Sequence, residues 1–228
     1  MNKPPNFNRL ARLYLWMELL SFGLWLSLTR QTFLPRLGQA RRALVLGDGD
    51  GRFSAKLLCA NSQVRITAVD ASSAMLAALT RRAGRHHSRV ETQKADIRTW
   101  FPPAALEPYD LIATHFFLDC LTTPEVQSLA SRLRSASTPN ALWVVSDFAV
   151  PDSAFGRFLA FPIVTSLYLS FAVLTGLAVR RLPDHATALT GAGFTLLKRR
   201  SRLAGLLIAE LWSASVPGSD PSPASSAL

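Results

Sequence analysis

The stretch ALVLGDGDGRF, residues 43 to 53, sets glycines at alternate positions (Gly47, Gly49, Gly51) directly behind an apolar run, and FSAKLLCA follows at helical spacing. An apolar run that stops in glycines and restarts with a 3.6-residue period reads as strand, tight turn, helix. The pattern recurs along the chain. VRITAV (64–69) ends in Asp70 and leads into ASSAMLAALTRR, which has serine caps and helical apolar spacing. A weaker strand, RVETQK (89–94), ends in Ala95-Asp96, and Pro102-Pro103 break the chain before a strong strand, YDLIATHF, at 109 to 116. TPEVQSLASRLR then reads as a helix with Thr123 as cap and Pro124 at the first helical position. The turn STPN leads into a fifth strand, ALWVVSDF, at 141 to 148.

Strands that alternate with helices return to the sheet in parallel, through right-handed crossovers. Farther on, GFTLLKRR and RLAGLLIAELW read as two more strands joined tightly, completing the same sheet. The expected fold is therefore α/β: a doubly wound, mostly parallel seven-stranded sheet with an antiparallel last strand. Ligands of such sheets bind at the carboxyl ends of the strands. Gly47, Asp70, Asp96, His115 and Asp147 all fall there.

Three segments lie outside this core. Residues 1 to 38 form an expected apolar helical cap; their apolar stretch carries Glu18 and lacks a small-residue cleavage site, so residues 8 to 30 read as an amphipathic or buried helix and not as a signal peptide. Residues 158 to 179 hold no charge and are long enough to cross a membrane. Because the strands after them complete the sheet, the segment from about 155 to 180 is expected to be an apolar helical insert that packs on the domain and touches a membrane surface. The Pro/Ser-rich tail, 213 to 228, is expected to be disordered. The domain proper runs from 39 to 212.

A dinucleotide fingerprint needs a third glycine where this chain has Arg52, and no Gly-Lys-Ser/Thr follows, so the turn fits neither a pyrophosphate nor a P-loop. Asp48 and Asp50 between the glycines would repel phosphates and favour a cationic ligand such as a sulfonium or an amine. Asp70, at the end of the second strand, stands where a carboxylate accepts both hydroxyls of a ribose. Asp96 stands where an adenine amino group would donate.

ALVLGDGDG, AVDASSAML, KADI and YDLIATHFFLDCL together resemble motifs I to IV of the class I S-adenosylmethionine-dependent methyltransferases, over residues 40 to 150. The resemblance implies that Gly47, Gly49 and Gly51 line the methionine and ribose parts of S-adenosylmethionine, and that Asp70 holds the ribose hydroxyls with Ala71 against the adenine. Asp96 and Ile97 would meet the adenine edge and ring, while Thr114 and His115 would face the methyl group. The family's acid two positions before the first glycine is replaced here by Val45, which leaves Asp48 or Asp50 as its expected substitute. Methyl transfer from a sulfonium needs a general base only for a poorly ionised acceptor, and His115 is the candidate.

The formal charge of +10 favours polyanions or anionic lipid surfaces, but the basic residues form short clusters and THFF replaces the motif of exocyclic base-amine methylation, so nucleic acid is disfavoured. The two apolar appendages instead suggest a small hydrophobic acceptor of quinone, phenol or lipid type, distantly resembling the ubiquinone and menaquinone methyltransferases, and a peripheral site on the inner face of a membrane. A non-catalytic cofactor-binding partner, an RNA methyltransferase and a nicotinamide enzyme are the alternatives. Cys59 and Cys120 read as buried free thiols of a cytoplasmic protein, and the four histidines make no metal-ligand spacing with them, so no metal is expected.

Overall fold

The computed structural model describes residues 23–102, 107–149 and 182–214. The expected insert, residues 215–228 of the expected tail and the first part of the N-terminal cap lie outside the described residues, whereas Ser213 and Ala214, expected in the disordered tail, are the paired end of the last strand. Seven strands, β1 (Arg42–Leu46), β2 (Arg65–Asp70), β3 (Val90–Lys94), β4 (Tyr109–His115), β5 (Ser137–Phe148), β6 (Phe194–Arg202) and β7 (Leu207–Ala214), form one sheet in the order β3-β2-β1-β4-β5-β7-β6. β7 runs antiparallel to both β5 and β6, and the other pairings are parallel. Among the described residues five α-helices accompany it: α1 (Gly23–Arg30), α2 (Arg52–Ala60), α3 (Ser73–Ala83), α4 (Thr123–Ser135) and α5 (His185–Gly191).

The central strand β1 shows why the sheet is covered on both sides. Ala43 and Val45 point into one apolar layer, with Phe53, Leu57 and Leu58 of α2 and Leu76 and Leu79 of α3. Leu44 and Leu46 point into the other, with Val126, Leu129 and Leu133 of α4, Leu189 of α5 and Trp143 and Trp212. A strand buried on both faces reads as a continuous apolar run, the form RALVL has. Val45, where an acid was expected, is a core residue of the α2 and α3 side.

Three local expectations are corrected and one helix is added. The N-cap of α4 is Thr122, one residue before Thr123: its N–H and hydroxyl both donate to Glu125 at 2.8 Å. The STPN turn is the start of β5, because Ser137 pairs with Tyr109 before an irregularity restores the register at Leu111 and Leu142. Pro139 is tolerated inside that unpaired interval. Helix α5 was not visible in the sequence; its first turn is tied by the Asp184 carboxylate, which accepts from Thr187 N–H at 3.0 Å and Thr187 Oγ at 2.7 Å. Cys59 is exposed and Cys120 half-buried, so neither is the buried thiol expected from its apolar neighbours.

Among the described residues no helix is long and apolar enough to cross a membrane. Helix α1 buries Leu26, Thr29 and Arg30 and exposes Leu24, Trp25 and Leu28 at 71%, 41% and 40%.

Candidate functional site

The strand order brings the carboxyl ends of β2, β1, β4 and β5 into line, and with them the turn 47 to 51, Asp70, His115 and Asp147. Gly49 and Gly51 do different work within the turn. Gly51 has φ +82°, and a Cβ there would come within 2.8 Å of the Leu79 Cα, so the absent side chain is what lets α3 pack against the turn. Gly49 has φ +59°, and an added Cβ would meet only Met75 Sδ, at 4.0 Å. The space over Gly49 is therefore open to a ligand, whereas the outer face of Gly47 is covered by the Phe117 ring.

The aspartates also separate. Asp48 turns its carboxylate to the start of α2, accepting from Phe53 N–H at 3.3 Å, Ser54 N–H at 2.9 Å and Ser54 Oγ at 2.6 Å. It caps a helix whose first donors have no intrahelical partner. Burial raises its pKa, against the lowering effect of those bonds and of Arg30. The Asp50 carboxylate accepts from Arg82 at 2.5 Å and from Arg52 at 3.3 Å, and Arg82 also holds the Asp50 carbonyl at 2.9 Å. Both aspartates thus have partners within the protein that build the turn.

Asp70 is positioned by its own turn: Oδ1 accepts from Ser72 N–H at 2.8 Å, and Gly49 N–H also donates to the carboxylate. Burial raises its pKa to about 6, with Asp48 adding repulsion and the two N–H donors opposing it. A carboxylate fixed by backbone donors beside an open glycine fits the ribose end of an adenosine ligand. Ala71, next to it, is half-buried. Asp96 is exposed and bound through both oxygens to Arg98, which keeps its pKa low; Ile97 is buried in the α4-side core.

At β4 the two adjacent residues face opposite ways. Thr114 points into the α4-side core, where its hydroxyl accepts from Trp143 Nε1 at 3.0 Å. His115 points to the α1 and α2 side, 3% exposed, its ring centroid 4.2 Å from that of Phe53. Neither ring nitrogen has a hydrogen-bond partner. Burial, and then the Arg30 charge, push its pKa down to about 3. A ring that resists protonation to this extent is a weak general base near pH 7. Phe116, the next residue, has φ +54°, an uncommon conformation for a bulky side chain. Its N–H donates to the Ser146 carbonyl at 2.6 Å, and its ring lies 4.9 Å from the Arg30 guanidinium carbon.

Arg30 carries no motif that marks it in the sequence, and Asp119 follows the fourth strand without one. Asp119 lies beside Asp147 at the end of β5: the Asp147 carboxylate accepts Asp119 N–H at 3.2 Å, the two side chains are hydrogen-bonded, and Cys120 Sγ donates to Asp119 Oδ1 at 3.5 Å. Burial raises Asp119 to about 6 and Asp147 well above the carboxylate range. In the folded protein these acids keep protons that the unfolded chain releases near pH 4, so their contribution to stability is greatest below about pH 4 and is lost as the pH rises through about 6. Asp119→Asn should flatten this slope by about 1 kcal/mol. Urea unfolding at pH 4.5 and 7.5 measures it, and equal slopes for variant and parent would refute the assignment.

Residues 43–140 match the family described as a methyltransferase domain. No protein of curated function matches the chain. Among solved structures it is similar to the S-adenosylmethionine-dependent methyltransferase SibL, at 21% identity and a TM-score of 0.64 over 95% of this chain and 64% of that one. It is similar to the N,N-8-amino-8-demethyl-D-riboflavin dimethyltransferase RosA from Streptomyces davawensis, at 19% identity and a TM-score of 0.62 over 86% of this chain and 56% of that one. It is also similar to the mitomycin 7-O-methyltransferase MmcR, at 18% identity and a TM-score of 0.60 over 88% of this chain and 60% of that one. The chain thus spans between 56% and 64% of the length of these three proteins.

Proposed function

We propose that this chain, which carries a class I methyltransferase domain with S-adenosylmethionine as its cofactor, transfers the methyl group to a small, apolar acceptor. The observation that carries the reading is the pairing of open space over Gly49 with the Asp70 carboxylate, fixed by Ser72 N–H at 2.8 Å. When bound, the cofactor supplies a sulfonium methyl group that is already activated, so the protein's work is alignment and exclusion of water. Asp70 would hold the ribose hydroxyls, the Gly49 backbone would lie along the methionine and ribose portions, and Ala71 and Asp96 would lie toward the adenine. The His115 ring, neutral and enclosed, would serve as a hydrogen-bonding wall and not as a proton acceptor.

A small acceptor is supported by RosA and MmcR, whose names give a riboflavin derivative and mitomycin as what they methylate. An apolar one is supported by the exposed Leu24, Trp25 and Leu28 of α1, next to the carboxyl edge of the sheet. The same face, with the formal charge of +10, supports peripheral contact with an anionic membrane from the cytoplasmic side. The test is incubation with isotopically labelled S-adenosylmethionine and separate lipid, small-molecule and RNA fractions of a cell extract. Label in an organic-extractable species is the expected result. Label in RNA alone would overturn the acceptor class, and cofactor binding without turnover in any fraction would make the chain a binding partner.

A further inference from the structure

Strand β6 is an outer edge of the sheet, and Lys198, Arg199, Arg200 and Arg202 make it strongly basic. Its register on β7 sorts these residues by face. Lys198 stands opposite Leu211, Arg200 opposite Ala209 and Arg202 opposite Leu207. Opposite residues of an antiparallel pair point to the same side of the sheet. Ala209 and Leu211 belong to the apolar layer under α2, and Leu207 packs with Leu26 of α1. Lys198, Arg200 and Arg202 therefore line the α1 side, whereas Arg199 stands on the other face and pairs with the buried Glu210 at 3.5 Å. Among the described residues these three cations have no anionic partner, and the Arg202 Nε is enclosed without an acceptor. The row ends against the helix, since Leu203 packs on the cluster that holds Leu26. Helix α1 exposes Leu24, Trp25 and Leu28 on the face turned away from its buried Leu26 and Thr29.

An apolar ridge thus stands beside a row of unpaired cations on one side of the sheet. We propose that α1 and β6 together form the surface by which this chain lies on an anionic bilayer, with Leu24, Trp25 and Leu28 entering the lipid and Lys198, Arg200 and Arg202 meeting headgroup phosphates. A bilayer uses both features at once: a surface helix sinks its apolar face about 5–10 Å, while lysine and arginine stems reach back to headgroup level. Nucleic acid would meet the cations but leave Leu24 and Leu28 in water. A second copy would bring a chain of the same +10 charge against the row. The face also lies beside the ends of two central strands, because Phe116, which follows β4, and Phe148 of β5 share the apolar cluster of Leu26. Docking through it holds that edge of the sheet at the lipid, so an apolar acceptor passes to the site without crossing water. This inference rests on the apolar-acceptor reading above and names the surface that meets the membrane.

The test is co-sedimentation of the full chain with vesicles of phosphatidylcholine and of an equal mixture of phosphatidylcholine and phosphatidylglycerol. The parent should bind the anionic vesicles about tenfold or more tightly, and added salt should narrow the difference. Lys198→Gln, Arg200→Gln and Arg202→Gln together should weaken anionic binding about a hundredfold, at about fivefold for each charge near the surface. Arg65→Gln, Arg81→Gln and Arg85→Gln together remove the same charge from exposed positions toward the β3 edge. That variant should change binding less than about threefold. Leu24→Ser with Trp25→Ser should weaken it about tenfold. Equal loss in the two charge variants, equal binding of the parent to both vesicles, or no vesicle binding would overturn the surface. So would binding of RNA in place of vesicles through Lys198, Arg200 and Arg202, or a dimer in solution that Leu24→Ser with Trp25→Ser dissociates. Should the triple β6 variant fail to fold, Arg200→Gln alone, at an exposed position, should cost about fivefold, and unchanged binding would overturn the surface. Methyl label in an organic-extractable species would stand through each of these failures, so the acceptor reading and the surface fail separately.

Discussion

Gly51→Ala is expected to cost about 3 kcal/mol of folding stability or more, combining roughly 1–2 kcal/mol for a left-handed backbone with the overpacking of an enclosed site. Its Cβ would stand 2.8 Å from the Cα of Leu79, a backbone atom that a rotamer change cannot move. Gly49→Ala shares the positive φ but meets only Met75 Sδ at 4.0 Å, so its cost should stay near the backbone value, about 1–2 kcal/mol. The two glycines should exchange rank in cofactor binding, where the Gly49 methyl projects into the space left for the ligand. Urea unfolding and calorimetry on both variants measure this. Equal unfolding midpoints would show that the contact with α3 carries no weight.

Asp70→Ala should weaken binding of S-adenosylmethionine at pH 8 about a hundredfold, on the order of 2–3 kcal/mol for a charge-assisted pair of hydrogen bonds. The ligand-free protein should become more stable at that pH. With a folded pKa of about 6 against an ordinary 3.8, the Asp70 contribution to stability is greatest below about pH 4 and is lost as the pH rises through 6. Ligand binding has the opposite dependence, because the ribose needs the ionised carboxylate. Affinity of the parent should fall below about pH 6, and that of Asp70→Asn should not follow it. Parallel pH curves for the two proteins would remove Asp70 from the ribose site.

The fold was legible because its strands are apolar runs closed by glycine or aspartate, and period and punctuation sufficed to place β1, β2 and β4. What the sequence concealed lies at a finer scale. GDGDG contains two aspartates with the same neighbours, yet Asp48 turns to Ser54 and Asp50 to Arg82, a difference set by helices 6 and 32 residues away. Thr114 and His115 are adjacent in a strand and so must face opposite layers, which separates two residues assigned to one role. Burial decided the chemistry of His115, since an enclosed imidazole loses the basicity that composition suggests. Arg30 carried no motif at all; only the packing of α1 against β5 and β7 brings it to the sheet edge.

The placement of β7 between β5 and β6 also sets an order of assembly. Residues 207–214 fill an interior position of the sheet, so during synthesis β5 has an open edge until that segment leaves the ribosome. The parallel half can form earlier from its own crossovers, while the hairpin has to arrive as a unit to close the other side. Nascent chains stalled before residue 207 would therefore display the β5 edge, a surface for chaperones or for another copy's strand to pair with.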